Sequence, residues 1–244
     1  MDKFWKFSTV TNKTEAGDES TENVLFLNGV IASESWYGDE VTPKMFRDEL
    51  EQCKGDLTVF INSVGGDCFA ASEIYTALKE HKGRVTVKID GVAASAASVV
   101  AMSGDMVEMS PTAMLMLHNP SMLLYGEAAE LEQGIDFLNE VKESIINAYQ
   151  LKTGLSRSKI SHMMDAETWM NANAARDLGF CDRIMYTESN SIDDENTVEN
   201  MVFDKTVMVT NTIAAMRKKL KPIAKPEDTG FAAEQFETRL NLLK

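Results

Sequence analysis

Apolar and polar residues alternate over 85–89, where Val85, Val87 and Ile89 share a period of two that predicts a strand with one buried face. Short apolar or β-branched runs at 24–27, 57–61, 105–109 and 114–117 predict four more strands. Asn28-Gly29 follows the first of them as a turn signal. Between the strands the period lengthens. Thr42-Pro43-Lys44 opens a helix with proline in its first turn, Met45, Phe46 and Leu50 on one face, and a stop at Gly55-Asp56. Phe69, Ile74, Ala77 and Leu78 mark a second helix after Gly65-Gly66, and a small-residue helix runs from Ser95 through Ala101. A long helix over 127–153 carries the stripe Leu131, Ile135, Leu138, Val141, Ile145 and Tyr149, and Gly154 is its stop. That stripe reads as ordinary core, with projection onto a neighbouring subunit as the other reading. Ser156 caps another helix to about Met164, and a last one runs from about Asn171 to Gly179. Strands alternating with helices place the chain in the α/β class, with a mostly parallel sheet and right-handed crossovers. Sites on such sheets gather at the carboxyl ends of the strands.

The pattern also divides the chain. Residues 8–23 are polar and rich in Thr, Glu, Asn and Ser, so 1–23 reads as a flexible leader and 24–188 as the folded domain. From 189 to 244 an acidic linker gives way to a partly helical tail broken by Pro222 and Pro226. The run Arg217-Lys218-Lys219-Leu220-Lys221 within it reads as solvated.

Composition narrows the function. Asp and Glu outnumber Lys and Arg by 38 to 24, a formal charge of −14, which argues against nonspecific nucleic-acid binding because phosphate contacts need clustered cations. The three cysteines, Cys53, Cys68 and Cys181, lack zinc-type spacing and read as thiols in a reducing compartment. No apolar run reaches a membrane span, and the first residues lack the apolar core of a secretory signal, so a cytoplasmic protein without membrane partners is expected.

Candidate chemistry sits at three of the expected strand ends. Gly91-Val92-Ala93-Ala94-Ser95-Ala96-Ala97-Ser98 sets a hydroxyl among very small residues, which lets a substrate backbone come close. Ile61-Asn62-Ser63-Val64-Gly65-Gly66 ends a strand in a glycine turn able to expose amide N–H groups, and His118 follows the apolar run 114–117. A serine, a histidine and exposed amides are the parts of an acyl-transfer site, and an imidazole with its ordinary pKa of ~6.5 suits proton transfer near neutrality. Ser98 reads as a packing residue rather than a second nucleophile, and His81 and His162 as structural.

Four ordered segments resemble the Clp-type serine peptidases, whose clan includes the crotonases. Ile61-Asn62-Ser63-Val64-Gly65-Gly66-Asp67 is similar to the family's I-N-S-P-G-G turn, with Val64 in place of proline. Gly91-Val92-Ala93-Ala94-Ser95 is similar to its G-x-A-A-S segment, and Met116-Leu117-His118-Asn119-Pro120 to its M-I-H-x-P segment. The stretch from Ala172 to Gly179-Phe180-Cys181-Asp182 resembles the closing signature. Within the family, 24–31, 36–43 and Asp165-Ala166-Glu167-Thr168-Trp169-Met170 resemble the phage head maturation (prohead) proteases.

The resemblance implies a fold of repeated β-β-α units with a long protruding helix. It implies Ser95 as nucleophile, His118 as general base, and Glu167, or alternatively Asp165, as the acid behind the histidine. It implies Gly66 and Ala96 N–H groups as the oxyanion hole, such donors each contributing ~3–4 kcal/mol, with Gly65, Gly66 and Asp67 lining the substrate strand. No metal or cofactor is implied. The expected activity is an ATP-independent endopeptidase that cleaves capsid or scaffold proteins, assembled as a homo-oligomeric ring, heptameric or as stacked heptamers. A Clp-type subunit fed by an ATP-driven unfoldase is the alternative, and a crotonase-like acyl-CoA enzyme a more remote one.

Overall fold

The computed structural model describes residues 3–13, 19–32 and 43–187; the linker and tail read at 189–244, and most of the 36–43 segment, lie outside them. Among the described residues the elements run β1 (Trp5–Lys13), β2 (Glu19–Ile31), α1 (Pro43–Leu50), β3 (Leu57–Gly66), α2 (Cys68–Lys79), β4 (Val85–Ala94) and α3 (Ala96–Ala101). They continue as β5 (Met106–Met109), β6 (Met114–Leu117), α4 (Ala128–Thr153), α5 (Arg157–Asp165), β7 (Thr168–Asn171), α6 (Ala172–Asp177) and β8 (Arg183–Ile184).

One sheet collects every strand, in the order β1-β2-β3-β4-β5-β8, with β6 branching from β4 and β7 pairing β6. Five of its pairings are parallel, and only β1 with β2 and β6 with β7 are antiparallel. The mixed α/β class expected from the alternating pattern is therefore present. Leu25, Leu27, Val59, Ile61, Val87 and Ile89 form adjacent rows of one sheet face and are fully buried. Trp5 and Phe46 close the same core at one edge, edge to face at 5.6 Å. On the opposite face one register row holds Phe26, Phe60, Lys88, Glu108 and Arg183. There the two phenyl rings stack at 5.3 Å, Lys88 sits over Phe60, and Arg183 pairs with Glu108.

Several elements depart from the sequence reading. The polar 8–23 segment, read as part of a flexible leader, contributes to the β1–β2 hairpin, with Ser8 paired to Val24 and Thr9 to Asn23. Its polar residues satisfy an edge ribbon, which needs backbone partners more than apolar side chains. Asn28-Gly29 is a bulge inside β2, not a turn: the register shifts there, and the Gly29 carbonyl accepts from Ser63 Oγ at 2.6 Å. The strands β7 and β8 carry no apolar run to mark them: β7 buries only Met170, and β8 has two residues. In α4 only Ile145, Ile146, Ala148 and Tyr149 are buried, while Leu131 and Ile135 of the expected core stripe are exposed.

The fork at β4 is the feature that builds the site. Its first half, Thr86 to Ile89, pairs with β5, and its last residues, Val92 to Ala94, pair with β6. Asp90-Gly91 marks the divergence, and a Cβ at Gly91 would stand 2.5 Å from Asn62 Oδ1, so a larger residue there would have to displace the Asn62 side chain. The carboxyl ends of β3, β4 and β6 consequently converge.

Candidate active site

Ser95 leaves the end of β4 with φ 55 and ψ −127, a conformation an L-residue adopts at a cost of about 1–3 kcal/mol, and it caps α3. Neighbouring groups hold it there. The Ser95 N–H donates to the Met116 carbonyl at 3.0 Å, and the Ser95 carbonyl accepts from the Ser98 N–H at 2.9 Å. Every residue of α3 is buried. Ala93, Ala94, Ala96 and Ala97 are small enough to let this turn sink against α2 and β3.

The strand that clamps the serine also delivers the histidine. Two residues beyond Met116, His118 sets Nε2 2.6 Å from Ser95 Oγ. For Nε2 to accept the hydroxyl proton, the imidazole must carry its own proton on Nδ1, which then needs an acceptor behind the ring.

The β6–β7 ladder brings the segment before β7 alongside the end of β6. Leu117 pairs Thr168 in an antiparallel register that runs from Met114 opposite Asn171, and His118 and Glu167 are the residues that follow and precede that last pair. Glu167 lies just before β7, where its φ of 49 turns the chain out of α5, and its N–H donates to the Met164 carbonyl at 3.2 Å. Asp165 is engaged elsewhere. Its Oδ1 accepts from Lys142 Nζ at 2.6 Å and from Asn119 Nδ2 at 2.9 Å, and these two, Lys142 first, hold its carboxyl below the usual aspartate range.

The glycine turn packs directly on the serine segment. Gly65 has φ 91, and a Cβ there would lie 2.8 Å from Ser95 Cβ and 2.9 Å from the Ala96 nitrogen. Gly66 has φ 149, and a Cβ there would strike the Ile31 carbonyl oxygen. Ser63, which the motif reading left without a role, pins the turn: its hydroxyl accepts from the Gly65 N–H at 3.1 Å while donating to the Gly29 carbonyl. The Gly65 N–H is thereby occupied. Ala96 is the first residue of α3, so its N–H has no intrahelical acceptor. Asp67 caps α2 by accepting from the Phe69 and Ala70 N–H groups at 2.8 and 3.0 Å.

The structure thus brings Ser95, His118, Gly65, Gly66 and Ala96 together, places Glu167 one residue before the last β6–β7 pair, and gives Asp165 other partners. His81 bonds through Nε2 to the Gly55 carbonyl at 2.7 Å, remote from this cluster in the fold. Among the described residues no three His, Cys, Asp or Glu side chains are grouped as metal ligands.

A hydrogen-bonded serine–histidine pair at the carboxyl ends of a mostly parallel sheet, with a glycine turn against it, defines a serine hydrolase type of site on an α/β fold. The Clp protease family model matches residues 18–188, and the chain belongs to that family of peptidases. It is 29% identical over 164 residues to the ATP-dependent Clp protease proteolytic subunit 1 of Chlamydia abortus, covering 62% of this chain and 85% of the relative. To the ATP-dependent Clp protease proteolytic subunit 1 of Chlamydia muridarum it is 30% identical over 152 residues, covering 61% of this chain and 79% of that one.

Proposed function

We propose that this Clp-family peptidase is a serine endopeptidase in which Ser95 attacks a substrate peptide carbonyl while His118 Nε2 takes the hydroxyl proton. The single observation that carries this reading is the 2.6 Å contact between His118 Nε2 and the strained Ser95. Glu167 accepts from Nδ1–H and keeps the imidazole in the tautomer that serves as base. The N–H groups of Gly66 and Ala96 bind the oxygen of the tetrahedral intermediate. His118 then returns its proton to the leaving amine, and water repeats the sequence on the acyl-enzyme. Gly65, Gly66 and Asp67, at the carboxyl end of β3, line the path of an extended substrate. The test is covalent labelling by an alkyl fluorophosphonate read by intact mass: one adduct on the wild type and none on Ser95→Ala. Equal labelling of both would remove Ser95 from the role, and a crotonase-like acyl-CoA enzyme predicts no adduct on either.

For the biological substrate, the reading is processing of capsid or scaffold proteins during phage head maturation, without ATP. It is supported by the resemblance of 24–31 and 165–170 to that branch. Assembly as a homo-oligomeric ring, stacked through α4, is supported by the exposed Leu131, Ile135 and Phe137 on that helix. The similarity to ATP-dependent Clp protease proteolytic subunits favours a second reading, a proteolytic subunit working with an ATP-driven unfoldase. Co-expression with a candidate capsid protein separates the two. Head maturation predicts a Ser95-dependent mass change in the capsid protein without ATP-driven help. The second reading predicts an intact capsid protein and degradation of a folded substrate only with unfoldase and ATP.

A further inference from the structure

A hydrogen-bond chain runs from the buried end of α4 to the serine peptide. Ser98 is fully buried, and its hydroxyl donates to the Ser95 carbonyl at 2.6 Å. A serine hydroxyl has one proton, so at its 2.8 Å contact with Tyr149 the phenol must be the donor. The direction is then fixed: Tyr149 O–H to Ser98 Oγ, and Ser98 O–H to the Ser95 carbonyl. Tyr149 is 1% exposed and packs edge-on against Phe180 at 5.8 Å, so neither water nor a rotamer change relieves the arrangement. Burial raises the Tyr149 pKa, and the phenol remains a donor at all working pH values.

The carbonyl that receives this chain belongs to the same peptide unit as the Ala96 N–H. With the Ser98 N–H also bonded at 2.9 Å, that oxygen accepts two hydrogen bonds. Two donors on the oxygen fix the plane of the Ser95–Ala96 peptide and draw electron density from its nitrogen, which makes the N–H at the other end a better donor. They also oppose the backbone strain at Ser95, since a turn of this peptide toward an ordinary conformation would break both. We propose that Tyr149 and Ser98 are positioning residues for the oxyanion hole, setting the orientation and strength of the Ala96 N–H from the interior of the protein. The proposal rests on the reading of Ser95 as nucleophile and Ala96 as oxyanion donor.

The experiment uses the full chain and an alkyl fluorophosphonate, whose phosphoryl oxygen enters the oxyanion hole as the serine is modified. The rate of phosphonylation is resolved into a binding constant and a maximal rate for wild type, Ser98→Ala, Tyr149→Phe and the double variant, each verified as folded by circular dichroism. Ser98→Ala should lower the maximal rate about tenfold and Tyr149→Phe about threefold, within the range from one ordinary hydrogen bond to one oxyanion donor, with the binding constant unchanged. The double variant should be no slower than Ser98→Ala alone, because both changes interrupt one chain. A purely structural role would lower the melting temperature and leave the maximal rate of the folded protein intact. A Ser98→Ala rate within twofold of wild type, or a double variant showing the product of the two single effects, would overturn the proposal. Ser95→Ala, run alongside, tests the underlying reading separately: its labelling at the wild-type rate would mean that the nucleophile lies elsewhere.

Discussion

The two ends of α4 carry the same apolar period and meet opposite fates. Near its C-terminus Ile145, Ile146, Ala148 and Tyr149 are buried, and Tyr149 reaches through Ser98 to the backbone of Ser95. In the first half Leu131 and Ile135 lie on the same stripe and face outward, with Phe137 exposed beside them. Lys142, about two turns before Tyr149, sits at the divide and turns its ammonium to Asp165. A helical stripe therefore records that a face is apolar without recording what covers it. The inner end packs against α3 and reaches Ser98, whereas the outer end is exposed.

The largest effect should come from the acids beside the divide. Glu167→Ala should reduce turnover by about 10³–10⁴, as loss of the imidazole-orienting carboxylate does in serine proteases. Asp165→Ala, which frees Lys142 and Asn119 but leaves Glu167 in place, should stay within about threefold of wild type. Reversal of that order in peptide hydrolysis would mean that the outer side of the divide, not the inner, holds the third member.

Stability should separate the two ends next. Tyr149→Ala opens a cavity in the core and should cost about 3–5 kcal/mol in urea unfolding. Ile135→Ala, on a face that is 59% exposed at that residue, should change stability by no more than about 0.5 kcal/mol. Similar costs at both sites, measured on dissociated protein, would erase the contrast. Ile135→Asp should leave that stability equally untouched while lowering the sedimentation coefficient of the assembly, because a charge on a mating apolar face opposes association.

The smallest effect concerns pH. The Asp165 carboxyl is held below its ordinary value of 3.8 by Lys142 and then Asn119, so the folded state binds its proton less readily than the unfolded chain. Its contribution to stability is present above the ordinary value and fades as pH falls through the lowered one. The difference in melting temperature between wild type and Asp165→Asn should thus hold constant from about pH 8 to pH 5 and disappear only in stronger acid. A difference already fading near pH 6 would point to a titrating partner other than this carboxyl.

Much of the site is legible in the sequence because its demands are local. A strained serine that ends a strand needs small neighbours, and 93–97 spells them out. Gly65 and Gly66 meet the positive φ and the close approach to Ser95 and Ile31. What stayed hidden depended on distant partners. Ser98 read as packing because its neighbours in sequence are apolar, and its phenol partner lies 51 residues away. The β1–β2 hairpin went unread for a related reason: an edge ribbon is held by backbone pairing, which leaves little trace in polar side chains.

By itself, then, the sequence determined the α/β class, the serine and histidine, and the glycine turn, since periods, small residues and turn chemistry act over a few positions. Only the tertiary structure decided that β4 forks, that β6 both clamps Ser95 and presents His118, and that Asp165 is taken up by Lys142 and Asn119. It also decided which half of α4 is core. Those outcomes depend on register and on which surfaces meet, and both are settled by the packing of residues far apart in the chain.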